Sequence, residues 1–317
     1  PSWMRQGGPR LSSTADYLLD RRRMSRQVTT WRAVAFGVVA LALIGLGWRF
    51  AGAAGEGSHI AKLRISGIIT GDRATLDALR DIAKSHASAV ILDINSPGGG
   101  TTGSEEIYEA IRHVAANKPT VAVVSSLGAS GAYIAAIATD RIFVRQTTLI
   151  GSIGVLAQYP NVSGLLDKLG VKYESIKSSP LKAAPNGFEP TSEAARAAIA
   201  AVIEDSFEWF KALVRERRGM SEEELARVDD GRVFTGRQSL PLKLADALGG
   251  DAEAVDWLTA NKGVPKNLAV RDYTPGSPLG GWRLTSLVET VVGRYWGMTV
   301  GQPVDGLVSI WQMTPGN

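Results

Sequence analysis

An α/β fold is predicted by three features of the chain. Strand and helix patterns alternate from about residue 60, the connections are long enough for parallel pairing, and SAVILDI forms an unbroken apolar run of the kind buried inside a sheet. HIAKLRISGII reads as the first strand, RATLDALRDIAKS as a helix and SAVILDI as the second strand. TTGSEEIYEAIRHVAA follows as a helix with Ile107, Ile111 and Val114 on one face. PTVAVVSS is a third strand, leading through a GASG turn into an Ala-rich helix. RIFVRQ and LIGSIGVLAQ are predicted strands, NVSGLLDKLG a helix, and VKYESIKS a further strand. A long helix is expected over 192–218, with Ser192 as its N-cap and Ile199, Ile203, Phe207, Phe210 and Val214 at helical spacing. Ser221 and Glu224 have the spacing of a capping box.

The chain has 317 residues, no cysteine and a net charge of +4. Seven arginines against Asp16 and Asp20 give residues 1–32 a charge of +5, leaving about −1 for the rest. The basicity therefore belongs to the N-terminal tail, and a basic nucleic-acid-binding body is not supported. Without cysteine there is no disulfide and no thiol chemistry. His59, His86 and His113 lack metal-ligand spacing, so neither a metal site nor a cofactor is expected.

Residues 33–48, AVAFGVVALALIGLGW, are uncharged, and the run continues past Arg49 into FAGAAG. A span needs about 20 apolar residues, which this segment supplies if Arg49 snorkels at the outer interface. Trp31 and Trp48 flank it, and the arginines before it place the N-terminus inside. The expected organisation is a basic cytoplasmic tail (1–32), a transmembrane anchor (33–54), a catalytic domain (55–262) and a C-terminal extension (263–317). Ala51-Gly52-Ala53 also has the character of a signal-cleavage site, so removal of the anchor stays open.

The chemistry concentrates in two turns. Asn95-Ser96-Pro97-Gly98-Gly99-Gly100 follows a strand and precedes a helix. It lacks the lysine of a phosphate loop and the spacing of a dinucleotide loop. Its bare N–H groups suit an oxyanion hole, and a tight structural turn is the simpler alternative. Ser130 stands one β/α unit later at another strand–helix junction, where the N–H of Gly131 opens the helix. A serine nucleophile needs a base. His113 reads as a helix-surface residue, and Lys182 lies between apolar neighbours in SSPLKAAPNGFEP. A free lysine has a pKa near 10.4, so it must lose about 2–3 units through desolvation to act as a base.

In order, VILDINSPGGG, GASGAYIAA, LIGSIGV, IKSSPLKAAPNGFEP and DGRVFTGRQSLPLKLADALGG resemble the short, single-domain form of bacterial signal peptide peptidase A. The resemblance runs from about residue 60 to 255. It implies a Clp protease/crotonase-like fold of repeated β-β-α units behind an N-terminal transmembrane helix. It implies Ser130 as nucleophile, Lys182 as general base and Ser152 as the serine that orients the lysine. Gly98 or Gly99, together with Gly131, would form the oxyanion hole. It further implies a homo-oligomeric ring, an octamer in the short form, with dyads completed between neighbouring protomers. The domain would lie on the periplasmic side of the bacterial inner membrane and cut leftover signal peptides and other hydrophobic or unfolded polypeptides.

Two positions depart from related patterns. Lys243 stands where family members often have glycine, and reads as a surface change. Val155 occupies the neighbourhood where a Clp-type protease has its histidine, which favours a lysine mechanism. The rival readings are a catalytically silent ring-forming membrane scaffold and an acyl-CoA enzyme of the crotonase type. The latter needs an acidic base, for which Asp93 is the nearest candidate, although Asp93 reads as a structural strand-end residue.

Overall fold

The computed structural model describes residues 31–32, 34–43, 57–275 and 308–310. The chain divides into two units, Pro1–Gly57 and Ser58–Asn317. In the first unit, residues 34–43 are helical with exposed side chains. The rest of the expected anchor and nearly all of the basic tail lie outside the described residues. Among the described residues, no helix is long and apolar enough to cross a membrane.

The second unit is built on a mixed sheet. Its leading elements are β1 (His59–Ile69), α1 (Arg73–Lys84), β2 (Ala87–Gly100), α2 (Thr101–Ala115), β3 (Thr120–Ala129) and α3 (Gly131–Ile137). Then come β4 (Arg141–Val144), β5 (Leu149–Gly151), α4 (Ser163–Leu169), α5 (Glu193–Arg218) and α6 (Glu222–Leu225). The remaining elements are β6 (Val233–Thr235), α7 (Gly236–Ser239), β7 (Ala247–Leu248), α8 (Asp251–Lys262), β8 (Val270–Tyr273) and β9 (Val308–Ile310). The strand order is β6-β5-β3-β2-β1-β8, with β4 joining β3 to β7 and β9 lying on β2. The pairs among β1, β2, β3 and β5 are parallel, whereas β5–β6 and β2–β9 are antiparallel.

Alternating side chains of the central strands face opposite layers. Leu63 and Leu92 join Leu79, Ile82, Ile107, Ile111 and Phe210 on one side. Ile60, Ile91, Val121 and Phe143 pack with Ala254 and Leu258 of α8 on the other. Each fully buried Leu or Ile contributes about 1.5–3 kcal/mol. The strand ends are therefore held from both faces. α1 starts where the Asp72 carboxylate accepts from the Thr75 N–H at 2.9 Å. α5 is capped by Ser192 and α6 by the Ser221–Glu224 capping box, as their sequences predict. The apolar stripe of α5 is less uniform than predicted. Phe210 and Val214 are buried, but Ile199 and Ile203 are only half-buried.

Four sequence expectations change. The predicted loop Asn95–Gly100 is extended and continues β2, because its residues pair with β1 through Ile68↔Gly98 and Ile69↔Gly99. LIGSIGVLAQ is a strand only over Leu149–Gly151, since Gly151 (φ 103°) and Ser152 (φ 52°) turn the chain out of extended geometry. VKYESIKS forms no strand: residues 171–177 are irregular, and Ile176 is fully exposed with no sheet edge beside it. Residues 270–273, expected in the C-terminal extension, instead form β8 and pair parallel with β1.

Candidate active site

The site begins with sheet register. Ser96 of β2 pairs with Gly128 of β3, and Gly128 pairs with Ile150 of β5. Gly98 and Ser130 each lie two residues beyond that aligned row, on neighbouring strand ends. Such parallel strand ends form the usual crevice for a ligand.

Ser130 occupies the sharp turn from β3 into α3, with φ 57° and ψ −119°. A residue with a Cβ pays about 1–3 kcal/mol to hold so sparse a backbone region. The surroundings hold it there. Its N–H donates to the Gly151 carbonyl at 2.7 Å, and its own carbonyl accepts from Tyr133 at 2.8 Å and Ile134 at 3.1 Å. α3 (GAYIAAI) runs through the core, and all seven of its residues are buried, Tyr133 and Ile134 included. The Ser130 side chain lies under a nearly closed surface, and Oγ reaches the Gly154 carbonyl only at 3.5 Å, too long for a firm bond. The N–H of Gly131 is the first donor of α3, among the N–H groups that a helix cannot satisfy internally.

The glycine run lies alongside. Gly98 has φ 100°, which favours glycine, and its N–H donates to Ser96 Oγ at 3.1 Å. Ser96 Oγ in turn donates to the Gly67 carbonyl at 2.6 Å, fixing the run to β1. At Gly99 a Cβ would lie 1.8 Å from the Ile69 carbonyl oxygen, so glycine is required by close backbone approach. β9 pairs antiparallel here, through Gly98↔Ile310, Gly99↔Ser309 and Gly100↔Val308. This edge therefore accepts an extended peptide backbone.

Ser152 is buried beside this row at positive φ, and its N–H donates to the Arg232 carbonyl at 2.8 Å. With Ile153, Gly154, Leu156, Phe207 and Asp229 it lines an adjoining cavity of about 400 Å³.

Lys182 sits apart. It is exposed, and among the described residues its side chain makes no hydrogen bond or ion pair, with Ser130 or any other group. Lys177, in the same loop, is the opposite case. Its ammonium donates to both oxygens of Glu189, at 2.8 and 2.9 Å, and is committed to that ion pair. Of the two lysines, Lys182 alone lacks an acidic partner.

Asp93 and His113 are placed as their sequence contexts suggest. The Asp93 carboxylate accepts from Arg64 at 3.2 Å and Ser125 at 2.9 Å, with Lys62 at 3.5 Å. These contacts commit the carboxylate to structural bonds between β1, β2 and β3. His113 is exposed on α2. Ser125 is half-buried and Ser126 exposed, at the end of a strand. Among the described residues, no group of His, Cys, Asp and Glu could hold a metal ion.

Sequence reasoning missed Glu189, which also accepts from Ser175 at 2.9 Å and Asn186 at 3.2 Å. Its signal was only a single acid beside Pro190, with nothing to say which lysine it would meet. Sequence reasoning also gave no reason to expect Val308–Ile310 on β2.

Comparison with known proteins bears on the same residues. Residues 112–265 match the family described as peptidase family S49, a range that includes Ser130, Ser152 and Lys182. A proposed protease of Synechocystis sp. is 32% identical over 207 residues, covering 65% of this chain and 75% of that protein. A proposed signal peptide peptidase SppA of Enterococcus faecium is 31% identical, covering 64% of this chain and 63% of its own length. Protease 4 of Haemophilus influenzae is 27% identical, with 62% of this chain and 32% of that protein aligned. Among solved structures, a ClpP1 mutant from Listeria monocytogenes aligns with a TM-score of 0.42 and 15% identity, over 61% of this chain and 92% of that one.

Proposed function

Because the chain belongs to peptidase family S49 and is a serine peptidase, we propose that Ser130 is its nucleophile and Lys182 its general base. The observation that carries this reading is the backbone of Ser130: a serine held at φ 57° on a strand–helix turn, beside a glycine edge that accepts a peptide strand. Strain of this kind is kept where the surrounding structure over-determines it, which is characteristic of catalytic turns.

In the proposed reaction an extended substrate pairs along Gly98–Gly100. Ser130 Oγ attacks the scissile carbonyl carbon while its proton passes to neutral Lys182 Nζ. The oxyanion is held by the N–H of Gly131 with an N–H of the glycine run. The Gly98 N–H must exchange its 3.1 Å bond to Ser96 Oγ to take part. The intermediate collapses as the leaving amine takes the proton from Lys182. Water then attacks the acyl-serine while giving a proton to Lys182. As the ester C–O bond breaks, Lys182 returns that proton to Ser130 Oγ, which releases the carboxylic acid product and regenerates Ser130 and neutral Lys182.

The exposure of Lys182 supports one addition. A lysine serves as a general base only where desolvation favours its neutral form, so the proposed role requires a cover over this exposed side chain. The segment that carries it exposes Leu165, Leu169, Tyr173, Ile176, Leu181 and Phe188. We propose that a neighbouring copy in a homo-oligomeric ring covers this apolar arm and receives Lys182 near its own Ser130 and Ser152. The apolar 33–48 run and the arginines before it support a membrane anchor with the catalytic unit on the outer side. Hydrophobic remnants such as cleaved signal peptides are then the proposed substrates.

The crotonase-type reading is weakened by Asp93, whose carboxylate is already engaged by three partners. The test compares the wild type with Ser130→Ala and Lys182→Ala on a fluorogenic apolar peptide. Both variants are expected to lose at least about a thousandfold in kcat. Labelling of Ser130 by an acylating inhibitor should vanish in Lys182→Ala. Turnover of all three at one rate would remove the dyad, and assembly without cleavage by any of them would favour the scaffold.

A further inference from the structure

Resting on Lys182 as the base, we infer that Glu189 is a positioning residue: with Lys177 it closes the base of the loop that presents Lys182 and fixes where that lysine can reach. Lys182 lies five residues after Lys177 and seven before Glu189, near the apex of the segment between them. The apex itself is held weakly, by the Lys182 N–H on the Ser179 carbonyl at 3.1 Å and the Ala184 N–H on the Leu181 carbonyl at 3.3 Å. The base is held strongly.

Both Glu189 oxygens accept from Lys177, and one also accepts from Ser175 and Asn186. The Asn186 side-chain oxygen accepts from the N–H groups of Phe188 at 2.9 Å and Glu189 at 3.2 Å, shaping the return of the loop. A third strand of chain completes the tie. The Val162 N–H donates to the Gly187 carbonyl at 2.8 Å, and the Asn161 amide to the Glu189 carbonyl at 3.3 Å. Gly187 has φ 78°, and a Cβ there would lie 2.2 Å from the Pro160 carbonyl oxygen, so these segments meet backbone to backbone. Tyr173 stacks on Phe188 across the same junction, with ring centroids 5.2 Å apart.

The cluster fixes position without touching reacting atoms. A side chain that must meet a serine on another strand end tolerates little misplacement, and an error of about 1 Å can cost about a hundredfold in rate. Lys177 is thus the structural lysine of the loop, and Glu189 the acid that keeps it so.

The test uses the full chain with Glu189→Ala, Glu189→Gln, Lys177→Met and the Glu189→Ala/Lys177→Met double variant, read by hydrogen exchange and by steady-state kinetics. Exchange over 178–188 should rise in Glu189→Ala and Lys177→Met. Their kcat should fall about ten- to a hundredfold with KM within about twofold, and the rising limb of the pH–rate profile, which reports the general base, should move to higher pH. Glu189→Gln, which keeps an acceptor for Ser175, should recover part of the loss. The double variant should be no worse than either single one, as expected for two members of one interaction. Unchanged exchange in Glu189→Ala would remove the clasp, and raised exchange with unchanged kcat would remove its positioning role. Full activity of Lys182→Ala would instead remove the underlying assignment of the base, whatever the exchange data show.

Discussion

The two halves of the site are built in opposite ways. Ser130, Gly131 and Ser152 sit on strand ends and a buried helix, under 10% exposed or enclosed by the core, and the N–H groups of Ser130 and Ser152 are tied to the Gly151 and Arg232 carbonyls at 2.7 and 2.8 Å. Lys182 sits near the apex of an exposed excursion between β5 and α5, with apolar side chains open to solvent and local turn bonds at the apex. The proposed nucleophile is prepared within one chain, whereas the proposed base is prepared only as far as its loop. A strained, enclosed serine can wait for substrate at no further cost. A lysine acts as a base only where desolvation favours its neutral form, so on the proposed reading the separation of the two would delay activation until a neighbouring copy covers Lys182.

The largest effect is expected where this contrast is broken at the serine. Ser130→Ala should remove at least about a thousandfold of kcat and leave thermal stability nearly unchanged, as kinetics and a melting curve will show. Ser130→Gly should be equally inactive but more stable than Ser130→Ala by about 1–3 kcal/mol, because glycine adopts this φ without strain. Equal stability of the two would mean that the turn is not strained. Gly99→Ala should destabilise the protein by several kcal/mol or prevent soluble expression, since its Cβ would meet the Ile69 carbonyl oxygen at 1.8 Å.

Smaller effects sharpen the same contrast. β9 lies on the edge assigned to substrate, so deleting residues 305–317 should lower KM for an apolar peptide a few-fold with little change in kcat. An unchanged KM would place substrate elsewhere. At the periphery, Lys243 has φ 58° and an ion pair to Glu224 at 2.7 Å. Lys243→Gly should relieve about 1 kcal/mol of backbone strain and raise the melting temperature slightly without altering activity.

What the sequence disclosed follows from what periodicity can report. The buried strands and the amphipathic helices α1 and α2 were legible because burial imposes apolar residues at fixed spacing. The turn at Ser130 was legible from Ala129-Ser130-Gly131 in its small-residue setting, although its φ was not. Lys243 is on the surface, as its sequence context suggests, but its left-handed backbone conformation was not legible from the sequence. The segment 171–177 has apolar residues at strand-like intervals, but a strand needs a neighbouring edge, and among the described residues it pairs with none. The Lys177–Glu189 clasp was invisible because its members lie twelve residues apart with no spacing rule to connect them. β9 was equally hidden, because a short strand added to a glycine edge uses backbone bonds that carry no side-chain signature.

The most direct test of the account mixes two inactive proteins. Ser130→Ala supplies intact Lys182 and Lys182→Ala supplies intact Ser130, and subunit exchange is followed separately by native mass spectrometry. If the dyad forms between copies, exchanged rings should recover about a quarter of wild-type activity, the fraction of interfaces that pair an intact serine with an intact lysine under random mixing. Mixed rings that stay as inactive as either parent would contradict completion of the site by a neighbouring copy.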